Sequence, residues 1–467
     1  MMIRKIALFI VGIIIAINAV GQGKIKSKEY LSKAKTYYDL KEALQYKRSV
    51  YKLNLESQKL TEISSKIAKL KNLQELTIAY NDIESLPPEI FNLTNLQKLI
   101  IKNNRIKSIP EDIGKLVNLE LLDCVQNNLT TLPDGIAKCV NIKELKLAEN
   151  QISRLPEGIG ELKNLVNLDA FSNNIEIIPD GIGNCSKLEY LDLDWNKIIE
   201  LPASICRLQK LRELRLEKNN LSVLPRAIGD LQMLSQIKLQ NNNLTKLPES
   251  FGKLKLITNL NLEKNKLTEL PITISQLADL RQLNVSNNKL AIFPLLKDLS
   301  SLEELNLSSN SLVDVKFEGM NNLKSADLSI NKIVKVEIAG ESIRNIEFLD
   351  LEMNKLKSFP SSSTVLLELK TLNLAQNEIN SIEQNISNFK ALKELNASDN
   401  HIGQISRNVG KLVELEILSL ANNKILLIPM EIVRLPKLKE LYLDGNKMYS
   451  WHIKQIKKAK KGLKLDI

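Results

Sequence analysis

The chain has 467 residues, 43% of them apolar, with 65 Lys and Arg against 54 Asp and Glu and a formal net charge of +11. An ordinary apolar fraction excludes wholesale disorder, and an aromatic content of only 4% requires a mostly aliphatic core. Two histidines, His401 and His452, leave little material for a metal site or for His-centred catalysis, and no cofactor is expected.

Residues 1–21 read as a signal peptide. Arg4 and Lys5 make a positive start, residues 6–17 are all apolar or glycine, and Ala19 and Gly21 place small residues where a signal peptidase reads. The apolar stretch is shorter than the roughly 18–20 residues of a membrane span, and no cysteine follows it to carry a lipid. Export to the periplasm, the cell surface or the medium follows, with an uncleaved N-terminal anchor as the alternative and no transmembrane segment after cleavage. Residues 22–49 read as an N-terminal cap. Residues 28–48 look helical, with Asp39 and Glu42 spaced as a capping box ahead of Ala43 and Leu44.

From residue 50 an internal period replaces the several domains that the length alone would suggest. Leu73, Leu96, Leu119, Ile142, Leu165 and Leu188 open units 23 residues apart. The series runs on, loosened after Leu280, to Leu438, and one degenerate unit precedes it at Val50. These 18 units span residues 50–449. Each follows L-x-x-L-x-L-x-x-N-x-L-x-x-L-P-x-x-I-x-x-L-x-x, as in LRELRLEKNNLSVLPRAIGDL from Leu211 to Leu231. On this motif the sequence resembles the leucine-rich repeat family, and within it the 23-residue LPxxI subclass of Ras-suppressor-like and Scribble-like scaffolds and of exported bacterial repeat proteins. The resemblance implies an α/β fold: a curved horseshoe solenoid with a parallel sheet on its concave face and short helical or 3-10 turns on its convex face. It also implies a scaffold role rather than catalysis.

The residues support that fold independently. Alternation in L-x-L puts both leucines on one side of a short strand. The Asn that follows occurs in 17 of the 18 units, and its amide can donate to and accept from the backbone of adjacent coils. Proline after the third apolar position of the second half suits entry to a tight helical turn. The units opening at Leu280 and Leu302 shorten to 22 and 21 residues, those at Leu302 and Leu323 lose the proline, and Ser361–Thr364 interrupts the next one. A local change in curvature is expected around residues 290–365, and whether it hinges is left open. Cys124, Cys139 and Cys185 take framework positions and Cys206 does not; all four read as small buried hydrophobes, with a Cys185–Cys206 bridge left open. Residues 450–467 read as the C-terminal cap, a basic amphipathic helix with Trp451, Ile453 and Ile456 on its apolar side, followed by a segment able to close the sheet.

Function belongs to the positions without a framework duty, the third, fifth and seventh of each unit on the concave face. Seventeen of them are acidic and six basic, so this face opposes the sign of the whole chain. Nucleic acid is disfavoured there, because phosphates need Lys and Arg. One stretch departs from the repeat by its apolar and aromatic residues: Leu121, Val125, Phe171, Tyr190 and, at position eight, Trp195. Asp123, Asp169, Asp192 and Asp194 surround them, with Lys146 and Arg215 adjacent. Aromatics rimmed by charge are the chemistry of a recognition hot spot, although Asp or Asn at position five is also a habit of the repeat. Ile330, Phe348 and Met353 form a second, weaker candidate. No GxSxG, HExxH, GxxxxGK[ST] or GxGxxG occurs in a suitable context, so an enzyme is not expected. Two functions fit: a scaffold for a protein or peptide with basic or polar groups, or a glycan-binding, adhesive protein using the same patch. A purely structural envelope repeat is the third reading.

Overall fold

The computed structural model describes residues 25–467 except 295, 339–342, 363–365 and 461. The leader expected over residues 1–21 lies outside the described residues. The chain divides into two compact units after Asn219.

The first unit opens with two short helices, Lys28–Lys33 and Leu40–Gln45, on either side of a strand, Thr36–Tyr37, that pairs in parallel with Lys52 and Leu53. This segment is therefore not helical throughout. The extra strand covers the exposed edge that Lys52–Asn54 would otherwise leave unpaired. The carboxylate of Asp39 caps the second helix, accepting the Glu42 N–H at 2.7 Å. Eight strands of three residues each, from Lys52–Asn54 to Glu213–Arg215, follow in one parallel ladder. The register is set by the repeat: Leu145, Leu168, Leu191 and Leu214 stack one above the next at 23-residue intervals. Each buries the middle of its strand, and the residues on either side face outward.

Beyond each strand the chain turns at a residue in the left-handed region. Gln126, Glu149, Ser172 and Trp195 hold φ of 54°, 55°, 51° and 57°. The next residue is the repeated Asn. Asn127 accepts the Ile106 N–H at 3.0 Å and donates to Ile101 O at 3.0 Å and Cys124 O at 3.1 Å. One buried amide thus satisfies main-chain groups of neighbouring coils that no strand or helix would reach. On the far side the prolines stand as N-caps: Pro133, at φ −70°, leads the 3-10 turn Asp134–Lys138, and Pro156 leads Glu157–Glu161.

Cys124, Cys139, Cys185 and Cys206 are all buried, and no disulfide joins any of them. Cys139 Sγ donates to Ile113 O at 3.2 Å and Cys185 Sγ to Ile159 O at 3.3 Å. Burial pushes both thiols up to about 12 and raises Cys124 well above its ordinary value. Because only the thiolate attacks an alkylating agent, iodoacetamide is expected to leave these three cysteines unlabelled in the native chain at neutral pH. All three should label after urea unfolding, as read by intact mass.

In the second unit eleven strands form the ladder among the described residues, from Gln236–Lys238 to Lys464–Asp466. Shortened units appear as pairings of Leu283 with Leu305 and of Leu305 with Ala326. Where the proline is lost, the side away from the ladder changes element. Asp314–Phe317 and Lys335–Ile338 become strands and join Ser361–Ser362 in a second parallel sheet. Without proline every residue there can donate to a ladder, and DVKF and KVEI alternate polar and apolar as a half-buried strand requires.

The C-terminal helix, Ser450–Ala459, buries His452 and Ile456. Trp451, expected on its apolar side, is 59% exposed instead. His452 takes the inner place because its Nε2 lies 3.2 Å from Ile428 N and 3.0 Å from Ile428 O. Lys464–Asp466 then adds the last strand, beside Glu440–Tyr442. No helix among the described residues is long and apolar enough to cross a membrane. The architecture is a parallel-β solenoid of the α/β class, with short 3-10 turns opposite the strands.

Candidate partner-binding face

The sheet face of the first unit presents its residues in rows set by the strand register. One row runs Asp123, Lys146, Asp169, Asp192, Arg215, and the row beside it Leu121, Glu144, Asn167, Tyr190, Glu213. Their acids have a structural duty as well. Asp123, Asp169 and Asp192 accept the N–H two residues on, from Val125, Phe171 and Asp194, at 3.2, 3.1 and 3.0 Å. In the second unit Asn261, Asn284 and Asn306 make the same bond to Glu263, Ser286 and Ser308. An amide and a carboxylate serve this turn equally, so the turn explains the side-chain oxygen and leaves the negative charge unexplained. Asp194 is buried and accepts the Glu217 N–H at 2.6 Å.

Burial, with Asp192 and Asp123 nearby, raises the Asp169 carboxyl, while the Phe171 N–H opposes the rise. A raised carboxyl destabilises the folded chain when ionised and ceases to do so as pH falls through its folded pKa. Asp169→Asn keeps the turn oxygen and removes the charge. It is expected to raise Tm at pH 7, with the gain vanishing as the pH drops below the carboxylate range; a lower Tm at pH 7 would contradict this.

The aromatic residues come together in part. Phe171 and Trp195 meet with ring centroids 6.3 Å apart. Lys218 Nζ stands 3.3 Å from the centre of the Trp195 ring, a cation–π contact. Trp195 is nonetheless 48% exposed and Tyr190 42%. Tyr190 lies in a shallow depression of about 180 Å³ with Asn167, Asp169, Asp192, Glu213 and Arg215. Arg215 bridges Asp192 at 3.2 Å and Glu213 at 2.5 Å; burial works against its charge, but these carboxylates, with Asp194, outweigh it. Leu121, Asp123 and Val125 do not join this cluster, because Glu144–Lys146 lies between their strand and Asn167–Asp169.

Lys218 belongs to the cluster and lies outside the columns, and Glu213 belongs to it too, counted among the acidic column residues without being singled out. Their signal was the 23-residue step, which sets Lys218 beside Trp195 and Glu213 beside Tyr190. The depression is open, with Asp169, Asp192 and Glu213 among its lining. Among the described residues, no group of three or more His, Cys, Asp or Glu is placed to hold a metal ion.

Family models match in four segments: a leucine-rich repeat region at residues 43–126, and leucine-rich repeats at 186–244, 232–290 and 301–323. Among solved structures, a leucine-rich repeat protein of Leptospira interrogans is 31% identical, with 93% of this chain and 100% of that chain covered and a TM-score of 0.57. The ectodomain of the Arabidopsis thaliana receptor kinase GASSHO1/SCHENGEN3, in complex with Casparian strip integrity factor 2, is 27% identical over 90% of this chain and 56% of that chain, at TM-score 0.60. The ectodomain of the Arabidopsis receptor kinase HAESA, in complex with a peptide hormone ligand, is 28% identical over 85% and 74%, at TM-score 0.54. No curated protein matches the chain.

Proposed function

Because the chain belongs to the leucine-rich repeat family, we propose that it is an exported, non-enzymatic scaffold of the 23-residue LPxxI subclass that holds a protein or peptide on its sheet face. One observation carries this reading. Trp195 occupies a left-handed position, φ 57°, where a bulky side chain is costly, and it stands half exposed between Phe171 and Lys218. A residue kept against its local preference, at the surface, with two others ordering its ring, fits a binding anchor. Ordering it before the partner arrives lowers the cost of association.

The acidic excess of the face selects a partner with basic or polar groups. HAESA, similar to this chain, holds a peptide hormone ligand, which supports a peptide occupant here. With residues 1–21 read as an export signal, that encounter belongs outside the cytoplasm, in the periplasm, at the cell surface or in the medium. The test is affinity capture from envelope extract, followed by titration of the captured protein. Trp195→Ala and Phe171→Ala are each expected to raise Kd by about 30-fold, the loss of one hot-spot anchor. Unchanged affinity in both variants would end the proposal. A glycan array positive only when Tyr190 and Trp195 are intact would move the site to the adhesive reading.

A further inference from the structure

The C-terminal helix has two faces with separate work. Capping is done by His452 and Ile456, which are buried, and by Lys460, whose Nζ donates to Leu435 O at 2.6 Å. None of this uses the Tyr449 side chain, and Trp451 touches the cap only through its ring against that of His452, centroids 5.3 Å apart. The Tyr449 and Trp451 rings stack on each other, centroids 6.1 Å apart and 12° from parallel, and both are exposed. Lys454 and Lys458 follow Trp451 at three and seven residues, so all three share one outward stripe; Lys457 stands beside it and Lys447 just before the helix. All four lysines are exposed, and none pairs with a carboxylate among the described residues. The helix itself contains no Asp or Glu.

We propose that this face docks the helix on an anionic phospholipid surface. A ring pair can sit at headgroup level, where Tyr and Trp are favoured, while lysines on the same stripe meet lipid phosphates. Because the buried face of the helix is already spent on the cap, contact is limited to headgroup depth, where rings and lysines on one face can act together. The site is independent of the partner-binding face, which lies on other residues and is acidic. It also gives part of the chain's positive charge a ligand of opposite sign.

The probe is sedimentation of the chain starting at Gln22, which retains every described residue and omits the apolar leader, with vesicles of phosphatidylcholine alone or with phosphatidylglycerol. Binding is expected only with phosphatidylglycerol, and it should weaken as salt rises. Each of Lys454, Lys457 and Lys458 contributes about fivefold, so charge neutralisation of all three (K454Q/K457Q/K458Q) lowers the partition coefficient by about 100-fold. Tyr449→Ala with Trp451→Ala also weakens binding. The lysine variant does not lower Tm, because Lys454, Lys457 and Lys458 lie outside the capping contacts, whereas the aromatic variant gives up the Trp451–His452 ring contact and is read beside its own Tm. In a Trp195→Phe background, the remaining tryptophan should shift its emission to the blue on adding anionic vesicles. Equal binding to neutral vesicles, no vesicle binding at all, capture by a soluble anionic polysaccharide alone, or binding that survives the triple substitution would each overturn the proposal.

Discussion

Asn196→Ala is expected to cost about 2–6 kcal/mol in urea unfolding, a large effect for a single polar truncation. Its Oδ1 accepts the Ile175 N–H at 2.9 Å, and its Nδ2 donates to Ala170 O at 3.0 Å and Leu193 O at 3.2 Å. The side chain is buried, so alanine admits no water to replace these bonds. The Ile175 N–H is then stranded, at about 1–3 kcal/mol, while Ala170 O keeps Asn173 Nδ2 at 3.2 Å and Leu193 O keeps Asn219 Nδ2 at 2.9 Å, so each of those two lost bonds costs only about 0.5–1.5 kcal/mol. The groups also belong to different coils, so the loss falls on the stacking of one repeat against its neighbours, which is where a solenoid holds its cooperativity. Asn261→Ala is the comparison, since it removes one bond to Glu263 N at a half-buried position and should cost about 1 kcal/mol. Equal losses for the two would show that the repeated Asn is no more than a turn former.

The same contrast shows what could be read before the structure. Columns that face the core are chemically uniform, so Leu145, Leu168 and Leu191 announce strand, spacing and facing direction at once. Contacts between coils are less visible. The place of Lys218 over Trp195 follows only when positions 23 apart are compared rather than neighbours along the chain. The inward turn of His452 depends on the main chain of Ile428, 24 residues earlier, which a reading of the helix alone cannot include. Thr36–Tyr37 is too short to display any alternation, and it pairs because an open strand edge lies beside it. The outer strands at Asp314–Phe317 and Lys335–Ile338 did carry a signal, in their alternation and their missing prolines, but it was masked by the assumption that every unit ends in a helical turn.

Gly160→Val is expected to cost about 3 kcal/mol or more, and the reason is approach rather than backbone freedom, since Gly160 does not adopt a positive φ. A Cβ there would lie 2.3 Å from Gly181 O, 2.9 Å from its carbonyl carbon and 3.0 Å from its Cα. All three atoms are main chain, in the turn Asp180–Asn184 that Pro179 leads. Relief therefore requires moving a whole coil away from the next, with loss of packing on both. Gly158 offers the control. Its Cβ would meet the Ala137 Cβ at 2.7 Å, while the other nearby atoms stand off at 3.8 and 3.9 Å. Gly158→Ala should therefore destabilise by about 1–3 kcal/mol, and Ala137→Gly in the same chain should restore most of that. No side-chain truncation is expected to restore Gly160→Val, because the three atoms nearest its Cβ are all main chain. Double-mutant unfolding curves decide the matter: rescue at residue 158 without rescue at residue 160 identifies main-chain contact between turns as what sets the closeness of the coils.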